Sequence, residues 1–325
     1  MTYLSRRAFV GGAGAAAGAL TIASDPASAA PPPVPFSAGT NRPAFPVPYG
    51  AVDCHIHILE PERFPYPNPT STPPPRASVD DYRLLRRRLR TTRAVVVTPS
   101  NYATDNRCTL DAIARLGRRD ARGVAVIGAD TTDAELVTLH AGGIRGIRFN
   151  LTRSGGAGAE LIRPLAERIA PFGWHVQVHM TADGIIENLP VLTDLPTDLV
   201  IDHLGRIPGD AGTSHPAFGA IRNLIDAGRT WVKLSGVYLE STDGPPAYAD
   251  RSTIAKAFVR AAPERMVWGT DWPHTTASRG EVPMPNDADL VNLFADWAGD
   301  RRTIRQILVD NPETLYDFEP LTAVP

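Results

Sequence analysis

Short β-branched runs alternate with longer helix-patterned stretches along most of this chain, and no other feature limits its possible folds so strongly. The runs lie at 52–58, 94–98, 123–128, 143–150, 174–179, 199–203, 231–235 and 266–271. Between them fall helical patterns at 105–116, 132–141, 159–169, 216–227 and 251–261, with a helical tail from residue 287 onward. A strand followed each time by a helix requires parallel strands, because only a crossover brings the chain back in the same direction. Eight such units predict a closed (β/α)₈ TIM barrel in a single α/β domain, and 325 residues suit one. A doubly wound open sheet is the competing fold. It would carry a Gly-rich phosphate loop after an early strand, and the sequence has none.

The first thirty residues stand outside that rhythm. Ser5-Arg6-Arg7-Ala8-Phe9-Val10 matches a twin-arginine export motif, followed by a Gly/Ala-rich stretch at 11–23 and a small-residue cleavage site at Ala27-Ser28-Ala29. A membrane anchor is the alternative, but the stretch is too short and too weakly apolar to span a bilayer. The sequence therefore divides into a signal peptide at 1–30, a proline-rich arm at 31–49 and a barrel at 50–325, and predicts a periplasmic or otherwise exported protein. Once the signal is cleaved, no membrane association is expected.

Charge and cysteine usage exclude several classes. A net charge of −2 recruits neither nucleic acid nor anionic lipid. Hydrophobic residues at 43% against 21% charged fit a folded enzyme. The one basic run, Arg83, Arg86, Arg87, Arg88, Arg90 and Arg93, is interleaved with Leu84, Leu85 and Leu89. It reads as a helix that buries its leucines and solvates its arginines. Two cysteines, Cys54 and Cys108, make no disulfide scaffold.

Chemistry gathers at the C-terminal ends of the strands, where barrel active sites sit. His55 and His57 are two apart on a strand and so share a face, with Cys54, Ile56 and Ile58 expected to turn towards the helices. Two imidazoles side by side pack poorly but suit metal ligation or charge stabilisation. Of eight histidines, five fall at strand ends: His55, His57, His179, His203 and His274. For His203 a hydrogen-bonded core histidine is the bland alternative. For Asp271 it is a helix cap or a buried ion pair.

These residues and the runs around them resemble a known family. Val52-Asp53-Cys54-His55-Ile56-His57, Arg63-Phe64-Pro65-Tyr66, Thr104-Asp105-Asn106, Leu110-Asp111-Ala112-Ile113, Arg145-Gly146-Ile147-Arg148-Phe149-Asn150, Val200-Ile201-Asp202-His203-Leu204-Gly205-Arg206 and Val267-Trp268-Gly269-Thr270-Asp271-Trp272-Pro273-His274 are similar to motifs of the 2-pyrone-4,6-dicarboxylate lactonase-like branch of the amidohydrolase superfamily. The likeness runs from about Gly50 to Asn311-Pro312-Glu313-Thr314-Leu315-Tyr316. The branch includes pyrone and sugar lactonases, 4-sulfomuconolactone hydrolases and a galactarolactone isomerase.

The resemblance implies roles. Asp271 would be the general base towards the attacking water, with His203, His55 and His57 around the lactone carbonyl. Arg148 would grip an acidic substituent, and Asn150, Arg206, Ser235, Tyr238 and His274 would line the substrate site. Two departures bear on cofactor and substrate. The metal-independent lactonase of the branch carries a tyrosine where this chain has His179, so His55, His57, His179 and Asp271 form a credible zinc ligand set. An arginine of that lactonase beyond strand four is matched here by Ser154, next to Arg153. Its strand-seven arginine has no counterpart in Lys233-Leu234-Ser235-Gly236-Val237-Tyr238, which looks instead like the sulfomuconolactone hydrolase and isomerase members. The reaction implied is hydrolysis of an acidic muconolactone- or pyrone-type lactone from aromatic catabolism, by metal-activated water. A decarboxylase or lactone isomerase on the same barrel, or an exported ligand-binding protein without turnover, are the competing functions.

Overall fold

The computed structural model describes residues 1–2, 33–67, 73–152 and 158–321. The export motif, Arg153 and Ser154 lie outside them. Eight parallel strands follow one another around the sheet in chain order: β1 (Val52–Ile56), β2 (Arg93–Val97), β3 (Ala121–Ala125), β4 (Ile144–Asn150), β5 (His175–His179), β6 (Leu199–Ile201), β7 (Thr230–Leu234) and β8 (Met266–Trp268). Every expected run is present, with ends shifted by up to three residues; β2, β3 and β7 begin one or two residues earlier than expected. Helices α1 (Val79–Leu89), α2 (Arg107–Leu116), α3 (Asp133–Ala141) and α4 (Ile162–Ile169) follow the first four strands in turn. The pair α5 (Ala182–Glu187) and α6 (Leu189–Thr193) follows β5; α7 (Pro216–Asp226) follows β6 and α8 (Ala249–Ala261) follows β7. This is a (β/α)₈ barrel.

The barrel closes between β8 and β1 through a few loop bonds. His57 N donates to Trp272 O at 2.8 Å and Asp271 N donates to His55 O at 2.9 Å. Asp53 reinforces the seam, accepting from Thr270 N at 2.9 Å, Thr270 Oγ1 at 2.8 Å and Tyr82 Oη at 3.3 Å. Gly269 permits the approach, since a Cβ there would lie 2.6 Å from His55 N and 2.8 Å from His55 Cβ. A backbone and a neighbouring strand cannot yield that much space. The seam therefore brings the Asp271 backbone directly against the histidine pair.

A bulge in β1 aims that pair. Asp53 pairs with Ala94, but Ile56 pairs with Val96, so three steps on β1 match two on β2. The extra residue breaks the alternation. The expectation that Cys54 faces the helices is corrected here. Cys54 packs with Val52, Val95, Val97, Val124, Val200, Trp231 and Val267, the inner layer of the barrel, together with Leu315, Tyr316 and Phe318. Ile56 and Ile58 do belong to the outer core between sheet and helices. With one residue inserted, Cys54 and His55 both turn inward and His57 follows at its regular interval.

The basic run also divides. Ser78 and Asp81 cap α1 reciprocally, and Arg90, left-handed at φ 62°, ends it. Leu85 and Leu89 are buried as expected, but so are Arg88 and Arg93. Arg93 lies in β2, where its guanidinium donates to Gly50 O at 2.7 Å and Glu313 Oε1 at 2.8 Å. Arg88 donates to Gly39 O at 2.7 Å and also to Ser37 Oγ, tying the proline-rich segment to the barrel. Trp272 Nε1 donates to Pro35 O at 2.8 Å in the same tie. No helix among the described residues is long and apolar enough to cross a membrane. Cys54 and Cys108 are free and buried.

Candidate active site

Asp271 is the hub of the site. Its Oδ1 lies 3.5 Å from His55 Nε2, 3.8 Å from His57 Nε2 and 3.9 Å from His203 Nε2. Its Oδ2 accepts a hydrogen bond from Tyr238 Oη at 2.5 Å. The loop after β8 holds Asp271 at φ 68°, a left-handed conformation a non-glycine residue adopts only when its surroundings enforce it. His203, Leu204 and Arg206 after β6 share that conformation at φ 53°, 57° and 48°. Such concentrated strain is characteristic of functional loops.

Each imidazole is held from behind. His57 Nδ1 lies 2.7 Å from Val97 O; a carbonyl only accepts, so Nδ1 carries the proton and Nε2 turns a lone pair towards Asp271. His203 Nδ1 is 2.9 Å from Ser235 Oγ, and Gly236, at φ 59°, leaves that ring room: a Cβ would sit 2.7 Å from Nδ1. His55 Nδ1 faces Lys233 Nζ at 3.3 Å and Asp202 Oδ1 at 3.5 Å. Burial, then the positive charge of Arg148, lowers His57 to about 3. Burial, then Lys233, keeps His55 neutral as well. Burial raises the Asp271 carboxyl to about 6. The site is thus a cluster of neutral imidazoles around a carboxylate more basic than usual.

A second, deeper layer of charge supports this one. Arg148 Nε donates to Asp202 Oδ2 at 2.9 Å, and Gln177 Nε2 donates to the same oxygen at 3.1 Å. Burial alone would raise Asp202, but Arg148, His55 and Lys233 together hold it well below the ordinary carboxylate range. Lys233 Nζ donates to Cys54 O at 2.9 Å, and burial lowers it to about 8.

Some residues expected in the site take other places. His179 lies outside the His55–His57–Asp271 group: Arg148 Nη2 is 3.1 Å from its Nδ1 and Arg206 Nη1 is 3.0 Å from its Nε2. Both ring nitrogens face arginines, so the structure gathers three of the four expected ligands, His55, His57 and Asp271, and sets His179 on Arg148 and Arg206. His274 is fully buried, with Nδ1 3.2 Å from Tyr238 Oη and Nε2 3.1 Å from Asp287 Oδ1, so it supports Tyr238 instead of lining the pocket. Ser235 and Tyr238 likewise act behind His203 and Asp271. Asn150 donates to Ser100 Oγ at 2.7 Å and accepts from Thr152 Oγ1 at 2.8 Å, joining the end of β4 to the segment after β2. Arg206, partly exposed, is paired with Glu240. The sequence reading assigns Lys233, Gln177 and Asp202 no role, yet all three are buried in the site. Their signal was the two-residue period: Trp231–Lys233, Val200–Asp202 and His175–Gln177–His179 each continue an inward-facing row.

The donor set fits a divalent ion. Ligand atoms of His55, His57 and Asp271 lie within 4.8 Å of one another, as do those of His55, Asp202 and His203. His55 Nε2 is buried and makes no hydrogen bond, and His57 Nε2 has a fixed lone pair. A buried nitrogen left bare beside a carboxylate is what a metal would satisfy.

The sequence profile of a family described as Amidohydrolase matches residues 52–318. A 4-sulfomuconolactone hydrolase of Rhizobium radiobacter is 35% identical over 84% of this chain and 92% of its own length. A D-galactarolactone isomerase of Agrobacterium fabrum is 33% identical over 89% of this chain and 97% of its own. Among solved structures, a probable 2-pyrone-4,6-dicarboxylic acid hydrolase of Acinetobacter baumannii with citric acid bound superposes with a TM-score of 0.72. It is 26% identical and covers 83% of this chain and all of its own.

Proposed function

Because this chain belongs to the amidohydrolase family, we propose that it hydrolyses an acidic lactone, a sulfonated or carboxylated ring of the muconolactone or pyrone type. The observation that carries this reading is the convergence of three imidazole Nε2 atoms on one Asp271 oxygen, with Arg148 and Arg206 beside them. Ester hydrolysis needs a base for water, a donor for the developing oxyanion and a grip on the substrate. Asp271 Oδ1 accepts the proton of the attacking water. His203, taking a hydrogen bond from Ser235 at Nδ1, presents Nε2–H to the carbonyl oxygen. The new carbon–oxygen bond displaces the ring oxygen, which recovers the proton from Asp271. Arg148, anchored by Asp202, holds the acidic substituent so that the carbonyl meets the base.

His55, His57 and Asp271 would hold the metal, and we propose zinc. A bound ion supplies Lewis acidity to the carbonyl and lowers the pKa of water. Purified enzyme should contain zinc, and a chelator should abolish turnover reversibly. Incubation of carboxylated and sulfonated lactones in heavy-oxygen water should yield ring-opened acids carrying the label. Ring migration without label would favour an isomerase, and full turnover in metal-free protein would overturn the zinc assignment.

We also propose that residues 1–30 direct export by the twin-arginine route, on the support of Arg6-Arg7 and the Gly/Ala stretch behind them. Replacing both arginines with lysine should leave uncleaved precursor in the cytoplasm. Processed protein outside the inner membrane would refute it.

A further inference from the structure

Asp271 sits in a backbone conformation that it would not keep alone, so whatever braces its loop decides where the carboxylate points. Its amide donates to His55 O at 2.9 Å, its carbonyl accepts from His274 N at 2.8 Å, and Tyr238 holds its Oδ2. Two braces lead away from these bonds. Trp272, fully buried, donates from its indole to Pro35 O at 2.8 Å, and Phe36 sets its ring edge against the indole at 6.1 Å. His274, also fully buried, connects Tyr238 to Asp287, whose Oδ1 accepts from Nε2 at 3.1 Å. Asp287 N donates in turn to Ser37 Oγ at 3.3 Å. Arg88 stands 4.0 Å from Asp287 Oδ2 while donating to Ser37 Oγ and Gly39 O.

Both braces end on the proline-rich arm, which is itself firmly seated. Val34 is buried, and Phe36 is held left-handed at φ 58°. Ala38 N donates to Pro285 O at 2.9 Å and Ala44 N to Asn292 Oδ1 at 2.8 Å, so the arm runs along the start of the helix Asp287–Ala298. Pro33, Pro35 and Pro43 restrict the free chain, which lowers the entropy lost on docking. We infer that this arm is a positioning element of the active site: Pro35, Ser37 and Gly39 fix Trp272 and Asp287, and these fix the direction of the Asp271 carboxylate. This rests on the reading of Asp271 as the base and adds to it a support from the far end of the chain.

Deleting residues 33–41 from the full chain should lower kcat for muconolactone by about ten- to hundredfold, the scale of rate lost when a base is displaced by about an ångström. KM should stay within about a factor of two, because the substrate contacts are untouched. Amide hydrogen exchange at residues 269–275 should rise while exchange in β3, β4 and β5 stays at the wild-type level. Ser37→Ala removes the oxygen that receives both Arg88 and Asp287 N, and kcat should fall by about three- to tenfold, the loss of one such tie. Ser37→Thr keeps that oxygen and should keep kcat. A wild-type kcat in folded, truncated enzyme would overturn the assignment. So would a KM rise without kcat loss, exchange that increases evenly through the barrel or not at all, or equal defects in the two Ser37 variants. If truncation leaves no folded enzyme, the Ser37 pair decides by kcat and by the same exchange measurement. If wild-type enzyme opens no lactone, the hydrolase reading fails on its own, and exchange at 269–275 still decides the role of the arm.

Discussion

Asp271→Asn should lower kcat by roughly two to four orders of magnitude, the usual contribution of a general base. The substitution preserves shape. Tyr238 Oη, which donates to Oδ2 at 2.5 Å, can donate equally to the amide oxygen. The amide nitrogen would then turn towards the three Nε2 atoms, and His57 Nε2 can accept from it. Folding should hold, because replacing a buried carboxyl raised to about 6 removes no favourable charge from the native state. The lost function is specific: an amide cannot take the proton of the attacking water. Zinc content must be measured in the same sample, since Asp271 would also be a ligand. A kcat near the wild-type value in zinc-loaded Asp271→Asn would sink the mechanism.

Arg148→Met should cost stability as well as substrate affinity, by about 3–5 kcal/mol in denaturant unfolding, the typical penalty for breaking a buried ion pair from one side. Asp202 is completely enclosed, and Arg148 is the first of the cations that hold it ionised. The sign with pH follows from the depressed carboxyl. Its contribution to wild-type stability is present above the ordinary value of 3.8 and is lost as pH falls through the native value. In the variant the stranded carboxylate is penalised at neutral pH and relieved once it takes up a proton, so the gap between variant and wild type should narrow in acid. An Arg148→Lys variant keeps the charge but not the two-armed reach from Asp202 to His179, and should recover stability better than KM. An unchanged unfolding midpoint in Arg148→Met would show that Asp202 does not depend on this partner.

The Asp271 hub was legible because each of its members falls at a strand end. His55 and His57 occupy one face at a spacing of two, and Asp271 follows the last strand. A linear pattern carries that information because strand alternation is a local property of the backbone. The same rule failed at Cys54, where a register shift against β2 inserts one residue and turns two neighbours inward. Register belongs to a pair of strands, so neither strand alone contains it.

Sequence by itself therefore determined the strand–helix rhythm, the barrel class and the residues at its C-terminal rim, all consequences of short-range periodicity and residue chemistry. Only the tertiary structure decided what each rim residue touches. It set His179 between Arg148 and Arg206, and buried His274 between Tyr238 and Asp287. It also drew Lys233 and Asp202 beneath His55 from strands far away in the chain. A histidine's tautomer, charge and role depend on the two groups facing its nitrogens, and those groups become neighbours only when the barrel closes.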